Sequence, residues 1–148
     1  MLREIHGGDR DELRAVVTAA VRGSVTDSQK DATALVEEII RSLNDWIESG
    51  SSGFHRKYSV KGRVVGFIIV QDYERISHLF VVPELQGRGM GRLLLEAAIQ
   101  ACRGKSPDRK LQLNASSNAA GFYEAMGFRR AGPGLDRPGG CIPYEYRF

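Results

Sequence analysis

HLFVVPELQGRGMGRLLLEAA, residues 78–98, carries three signals in succession. An apolar, partly β-branched run ends at Pro83, glycines follow at the alternating positions 87, 89 and 91, and Leu94, Leu95, Ala98, Ile99 and Cys102 then recur at helical spacing. A strand therefore passes through a glycine-rich turn into the start of a helix. Glycine lets the chain adopt dihedrals that other residues resist and lets a ligand approach the backbone. The N–H groups at a helix start point outward together and favour an anion, and Arg88 and Arg92 add mobile positive charge to that field. The competing reading is a flexible turn ahead of a helix.

Two phosphate-binding patterns fail against the same letters. A nucleotide P-loop needs Gly-Lys followed by Ser or Thr, and neither the lysine nor the hydroxyl is present. A Rossmann fingerprint needs a third glycine where Arg92 stands, and an early βαβ setting.

Upstream, residues 64–70 (VVGFIIV) are almost wholly apolar, which suits a central strand, and Tyr58 and Val60 precede a tight turn at Lys61-Gly62. Polar residues 71–75 separate this arm from the run that begins at Ile76. Residues 2–5 fit a short strand, GGD at 7–9 a turn, and Leu13, Val16, Val17, Ala20 and Val21 one face of a helix, with Asp11 and Glu12 suited by sign to its first turn. A polar stretch from Ser24 to Asp31 breaks that pattern. Leu35, Val36, Ile39, Ile40, Leu43, Trp46 and Ile47 then form one continuous apolar helical face, ended by SGSSG at 49–53. Downstream, GKSPD at 104–108 ends the helix after the glycines, Leu111 and Leu113 fit a short strand, and Ala119, Phe122, Tyr123 and Met126 fit a short helix stopped by Gly127. Residues 131–140 read as a loop between the last two strands and residues 141–148 as a terminal strand. Helices, a hairpin and then β-α-β-α-β make a mixed α/β layer structure, not a helical bundle or a sandwich.

The length of 148 residues suits one domain, 1–148, with a single core. Lys and Arg number 21 against 18 Asp and Glu, a mild excess that favours anionic ligands but falls short of a nucleic-acid footprint, because the basic residues are scattered. No apolar run approaches the roughly 18 residues of a membrane span, and the opening MLREIHGGDRDEL has no apolar signal-peptide core, so a cytoplasmic setting is expected. Cys102 and Cys141 are too few and too far apart for a disulfide scaffold or a zinc site, and no metal is expected. Cys102 falls on an apolar helix face and Cys141 at the start of the terminal strand, so both read as packing thiols.

The segment FVVPELQGRGMGRLLLEAA resembles the acetyl-coenzyme-A binding motif of the GCN5-related N-acetyltransferases (GNAT family), whose core is Gln/Arg-x-x-Gly-x-Gly/Ala. Gln86, Gly89 and Gly91 match its defined positions. The resemblance implies that the backbone of Gln86, Gly87, Arg88, Gly89, Met90, Gly91 and Arg92 cradles the coenzyme-A pyrophosphate, with Phe80, Val81 and Val82 beside the pantetheine arm. LQLNASSNAAGFYEAMGFRR, residues 111–130, is similar to the family's later motif, a strand followed by Asn-x-x-Ala-x-x-Phe-Tyr-Glu-x-x-Gly-Phe. Ala119, Phe122, Tyr123, Glu124, Gly127 and Phe128 match it position by position. Ser116 stands at its asparagine, flanked by Asn114 and Asn118, either of which is a candidate for the cofactor.

The fold so implied is a GNAT-like mixed, mostly antiparallel twisted sheet flanked by helices. The activity implied is transfer of an acetyl group from acetyl-coenzyme A to a primary amine by direct attack in a ternary complex. Tyr123 takes the place of the family tyrosine that donates to the departing sulfur, a role a phenol can fill while uncharged, although its helical neighbours also permit a core aromatic. His78 has the side chain best placed in pKa to accept the amine's proton. In strict alternation it shares a face with Ile76 and Phe80, which also permits a structural histidine. Asp72, Glu74 or an ordered water are the other candidates, and no single base is required.

The acceptor is expected between the first helices and the final hairpin, near residues 22–31 and 132–140, where Asp27, Asp31 and Asp136 either attract a cationic amine or are simply solvated. Partners are a small-molecule amine or a peptide or protein amine, with no nucleic acid and no membrane, and a homodimer is allowed. The alternatives are an acyltransferase using another acyl group or acceptor and a noncatalytic acyl-coenzyme-A binding protein. Retention of Tyr123 alongside the cradle favours chemistry.

Overall fold

The computed structural model describes residues 1–25, 29–50, 52–137 and 139–148. Asp27 lies outside the described residues, as do Ser51 and Pro138 within the loops expected at 49–53 and 131–140. The chain builds strands β1 (Leu2–Arg3), β2 (Gly53–Val60), β3 (Arg63–Gln71), β4 (Arg75–Val81), β5 (Lys110–Ala115), β6 (Arg129–Arg130) and β7 (Ile142–Arg147). The helices are α1 (Arg10–Ala20), α2 (Gln29–Ser49), α3 (Met90–Cys102) and α4 (Ala120–Ala125). One seven-stranded sheet runs in the order β1-β2-β3-β4-β5-β7-β6, antiparallel at every junction but that of β4 with β5. This is the expected mixed, mostly antiparallel architecture.

Both faces of the sheet are covered, which explains the unbroken apolar run of β3: residues 64–70 are all buried. Val65, Phe67 and Ile69 pack with Leu13, Val16 and Val17 of α1 and Val36 and Leu43 of α2. Ile68 and Val70 pack with Leu94, Leu95, Ala98 and Cys102 of α3 and with Tyr123 of α4. Burial of each large aliphatic side chain contributes roughly 1.5–3 kcal/mol, so the i, i+3, i+4 spacing of α3 is enough to fix which of its faces meets the sheet. Among the described residues no helix is long and apolar enough to cross a membrane.

The β2–β3 hairpin turns at Lys61-Gly62 as expected, with φ of 53° and 78°. Two expectations are refined. The first helix continues through a π-helical turn, Val21–Val25, and α2 begins at Gln29, earlier than the polar residues suggest. The polar residues between β3 and β4 close a tight hairpin in which Asp72 and Tyr73 both adopt positive φ, 55° and 59°.

The alternation of β4 also differs from expectation. Val70 pairs with Ile76 and Ile69 with His78, so Ser77 is an extra residue, a β-bulge that reverses the faces around it. Ile76 therefore joins the α3 and α4 layer, while His78 and Phe80 face α1 and α2. The pairing of β4 with β5 is equally local: Arg75 and Gln112 are the one registered pair, reinforced by Gln112 N–H donating to Glu74 O at 2.8 Å. Beyond it the two parallel strands diverge toward their C-terminal ends.

Candidate active site

A cavity of about 930 Å³ occupies that divergence, of the size that accepts an extended small-molecule ligand. Its walls include Ile76, His78, Phe80 and Val81 of β4, and Leu113 and Ala115 of β5 with Ser116 just beyond. It reaches Gly87, Gly89 and Arg92 on one side and Leu35 and Ile39 of α2 on the other. Ligands of α/β sheets lie at the carboxyl ends of parallel strands for the same reason: the diverging ends leave backbone groups without a neighbouring strand.

The divergence exposes specific peptide groups. Val82 N–H donates to Val65 O at 2.9 Å, back toward β3. By the alternation of an antiparallel ladder, the peptide groups of Val81 and Leu79 turn the other way, toward the gap. The Val81 carbonyl is held there by the side-chain amide of Gln86, Nε2 to O at 2.9 Å. Gln86 thus ties the start of the glycine turn to the end of β4, a structural reason for an amide at that position.

After the short 3-10 helix Pro83–Leu85, the chain turns at Gly87 and Gly89, whose φ values are 75° and 85°, and Gly89 caps α3 in the left-handed conformation. Leu93 N–H donates to Gly89 O at 3.0 Å, so the N–H groups of Gly89, Met90, Gly91 and Arg92 precede the helical ladder and have no intrahelical acceptor. A Cβ at Gly87 or Gly89 would meet no protein atom within 4 Å, whereas one at Gly91 would touch the Phe122 ring at 3.4 Å. The glycines at 87 and 89 are therefore required by dihedral angle, not by protein crowding. Arg92 is exposed and paired with Glu96 at 2.8 Å.

Tyr123 is 7% exposed and lines the cavity from α4. Its ring sits among Phe122, Phe128 and Tyr144, at centroid distances of 5.1, 5.7 and 6.4 Å. Burial pushes its hydroxyl well above the ordinary phenol range, so it is a neutral donor at any physiological pH. Beside it, the Tyr144 hydroxyl donates to Glu124 Oε2 at 2.5 Å and fastens α4 to β7.

His78 is 2% exposed, and its ring lies 6.3 Å from each of Phe67 and Phe80. Burial lowers its pKa to about 4, opposed by a hydrogen bond to the Ile39 carbonyl and assisted by Arg75. The ring is neutral at pH 7. A carbonyl only accepts, so the ring donates to Ile39, while Ser77 Oγ lies 2.8 Å from His78 Nδ1. Histidine in this setting joins β4 to α2 across the cavity wall.

The structure gathers most of the sequence-derived residues around one cavity. Phe80, Val81, Gln86, Gly87, Gly89, Gly91, Arg92, Asn114, Asn118, Tyr123 and His78 line it. Val82 is buried with its N–H committed to Val65, Met90 packs between the two cores, and Arg88 is exposed; these three do not line it. Ser116 donates to Asn118 Oδ1 at 2.7 Å, so the departure from the motif's asparagine is occupied by a hydroxyl bonded to its neighbour. Asp72 and Glu74 lie at the opposite end of β4 from the glycine turn. Asp31 and Asp136 do not line the cavity either; Glu38 and Arg137 do, and sequence reading missed both. Glu38 is hidden in sequence because Leu35 and Ile39, its neighbours on the helix, read as core. Cys102 is fully buried, and Cys141 is half-buried on the cavity wall.

Residues 24–144 match the family model described as an acetyltransferase (GNAT) domain. Over 68 residues the chain is 34% identical to the peptidyl-lysine N-acetyltransferase YjaB of Salmonella typhimurium, a match that spans 46% of this chain and 44% of that protein. A GCN5-related N-acetyltransferase from Rhodopseudomonas palustris has the same fold, with TM-score 0.85 at 21% identity over 100% of this chain and 95% of that one. So does the PaiA N-acetyltransferase of Thermoplasma acidophilum, solved in complex with coenzyme A, with TM-score 0.80 at 18% identity over 100% and 98%. The family model covers most of the sequence and the fold agrees with it: the chain belongs to the GNAT acetyltransferase family.

Proposed function

We propose that this chain transfers an acetyl group from acetyl-coenzyme A to a primary amine of a small molecule, peptide or protein. The observation that carries the reading is the cavity between the diverging ends of β4 and β5, with the glycine turn at one wall and a buried, protonated Tyr123 at another. The residues fit the donor by chemistry. The N–H groups that precede the α3 ladder suit the pyrophosphate, and the outward peptide groups of Leu79 and Val81 suit the amides of the pantetheine arm, as an added strand would. Asn114 and Asn118 supply polar side chains on the β5 side. The donor brings the activated acyl group as a thioester.

In this reading the amine nitrogen forms the new bond to the acyl carbon, the carbon–sulfur bond breaks, and the Tyr123 hydroxyl gives its proton to the leaving sulfur. The phenol is restored from solvent when product departs. The amine's own proton leaves to water, because a histidine with pKa about 4 is a weak acceptor at neutral pH. His78 is accordingly assigned to positioning: it holds the bulge at Ser77 and the backbone of β4 against α2.

Free-thiol production from acetyl-coenzyme A over an amine panel that includes lysine peptides tests the activity. Acceptor-dependent thiol release is expected. Retained coenzyme-A binding with no release across the panel would favour a noncatalytic binding protein.

A further inference from the structure

On the α1 and α2 side, the cavity wall is Ala20 of α1 and a stripe of α2, whose Ala34, Leu35, Glu38 and Ile39 stand at positions i, i+1, i+4 and i+5. Three of the four α2 residues are apolar. Glu38 is the one carboxylate among the described residues that line the cavity. It stands in the layer opposite Tyr123. Arg137, from the loop between β6 and β7, also lines the cavity and places Nη1 3.9 Å from Glu38 Oε1, joining the two sides of the opening.

That ion pair is built to exchange. Its side chains are 59% and 64% exposed for Arg137 and Glu38, and a pair so long and so solvated contributes only about 0–1 kcal/mol. A competing cation can replace Arg137 at little cost. The cation that does so is not the reacting nitrogen, because a carboxylate beside an amine favours its protonated form, which cannot attack. Glu38 instead suits a second, permanently protonated group, separated from the reacting amine by a stretch that lies on Leu35, Ile39 and Phe80.

We propose that Glu38 selects the acceptor: it receives the distal positive charge of a doubly cationic amine, such as a straight-chain diamine, and gives up Arg137 to do so. The inference rests on the acetyltransferase reading and adds a substrate class to it.

The test compares thiol release for a straight-chain diamine and for the monoamine of equal length, in wild type, Glu38→Gln and Arg137→Gln. Both side chains are exposed, so neither substitution disturbs the core. Wild type is expected to prefer the diamine, Glu38→Gln to lose about threefold to fivefold of that preference through KM, and Arg137→Gln to increase it. An unchanged diamine-to-monoamine ratio in Glu38→Gln overturns the proposal. Calorimetric binding of the diamine to the protein without donor decides the same point apart from chemistry: weaker binding to Glu38→Gln supports it and equal binding refutes it. If neither amine releases thiol, the broader amine panel rules on the acetyltransferase reading, and the calorimetric comparison still rules on Glu38.

Discussion

Ile76 and His78, two residues apart on one strand, face opposite layers of the molecule, because Ser77 between them is the extra residue of a β-bulge. The bulge carries His78 into the buried wall beneath α2, where its ring is kept neutral. Its pKa falls from 6.5 in the unfolded chain to about 4 in the folded one. Between those values the unfolded chain binds a proton that the folded chain refuses. The resulting stabilisation is complete above the unfolded value and is lost as pH falls toward the folded one, and it amounts to about 3 kcal/mol. His55 is shifted in the same direction by burial, so the comparison needs a variant. Chemical denaturation of wild type and His78→Gln at about pH 7 and about pH 5 should show a shallower loss of stability in the variant. Equal losses would remove the buried histidine from the account.

Tyr123→Phe should lower kcat by about a hundredfold or more while coenzyme-A affinity changes little, since general-acid assistance is typically of that order. The ring's packing against Phe122, Phe128 and Tyr144 is retained by phenylalanine, so the fold is preserved. Unaltered turnover at saturating substrates would strip the hydroxyl of its assigned role.

What the sequence made legible was whatever depends on local periodicity. Leu94, Leu95, Ala98, Ile99 and Cys102 announce the buried face of α3, and the all-apolar residues 64–70 announce a strand covered on both sides. The glycine turn was legible because positive φ restricts the residue type. The bulge was not, because it is a property of how β4 registers on β3, and no single strand encodes it. The divergence of β4 from β5 depends likewise on a lone registered pair, Arg75 with Gln112. Glu38 was not legible for a related reason. Asp31 and Asp136 stand in stretches that read as polar and open in sequence, whereas Glu38 looks like the polar edge of a packed helix until the cavity is seen to run along Leu35 and Ile39.

Gly89 separates two explanations for the glycine turn by experiment. Crowding would make alanine, asparagine and valine harmful in order of size. The left-handed φ of 85° instead predicts that Gly89→Asn is milder than the smaller Gly89→Ala, with Gly89→Val the most harmful, because asparagine tolerates that conformation and a β-branched residue does not. Strain of about 1–3 kcal/mol at the N-cap of α3 should weaken coenzyme-A binding by roughly tenfold or more in Gly89→Val, read by calorimetry. Coenzyme-A affinity no better in Gly89→Asn than in Gly89→Ala would contradict the dihedral argument.

Gly140 links the loop before β7 to the helix that carries Tyr123. A Cβ there would lie 2.1 Å from Ser117 Oγ and 3.0 Å from Ser117 N, and φ at this position is 85°. Ser117 N–H also donates to Gly139 O at 2.8 Å, so the loop before β7 and the 3-10 turn before α4 are joined by backbone contact. Gly140→Ala must push them apart, which displaces the start of α4 and loosens the placement of Tyr123 against the cavity. The expected result is a fall in kcat of about tenfold, with a loss of stability of roughly 1–3 kcal/mol and with coenzyme-A affinity less affected than in Gly89→Val. The two substitutions thus probe opposite walls of one cavity. A kcat for Gly140→Ala equal to that of wild type would show that the loop and Tyr123 are mechanically independent.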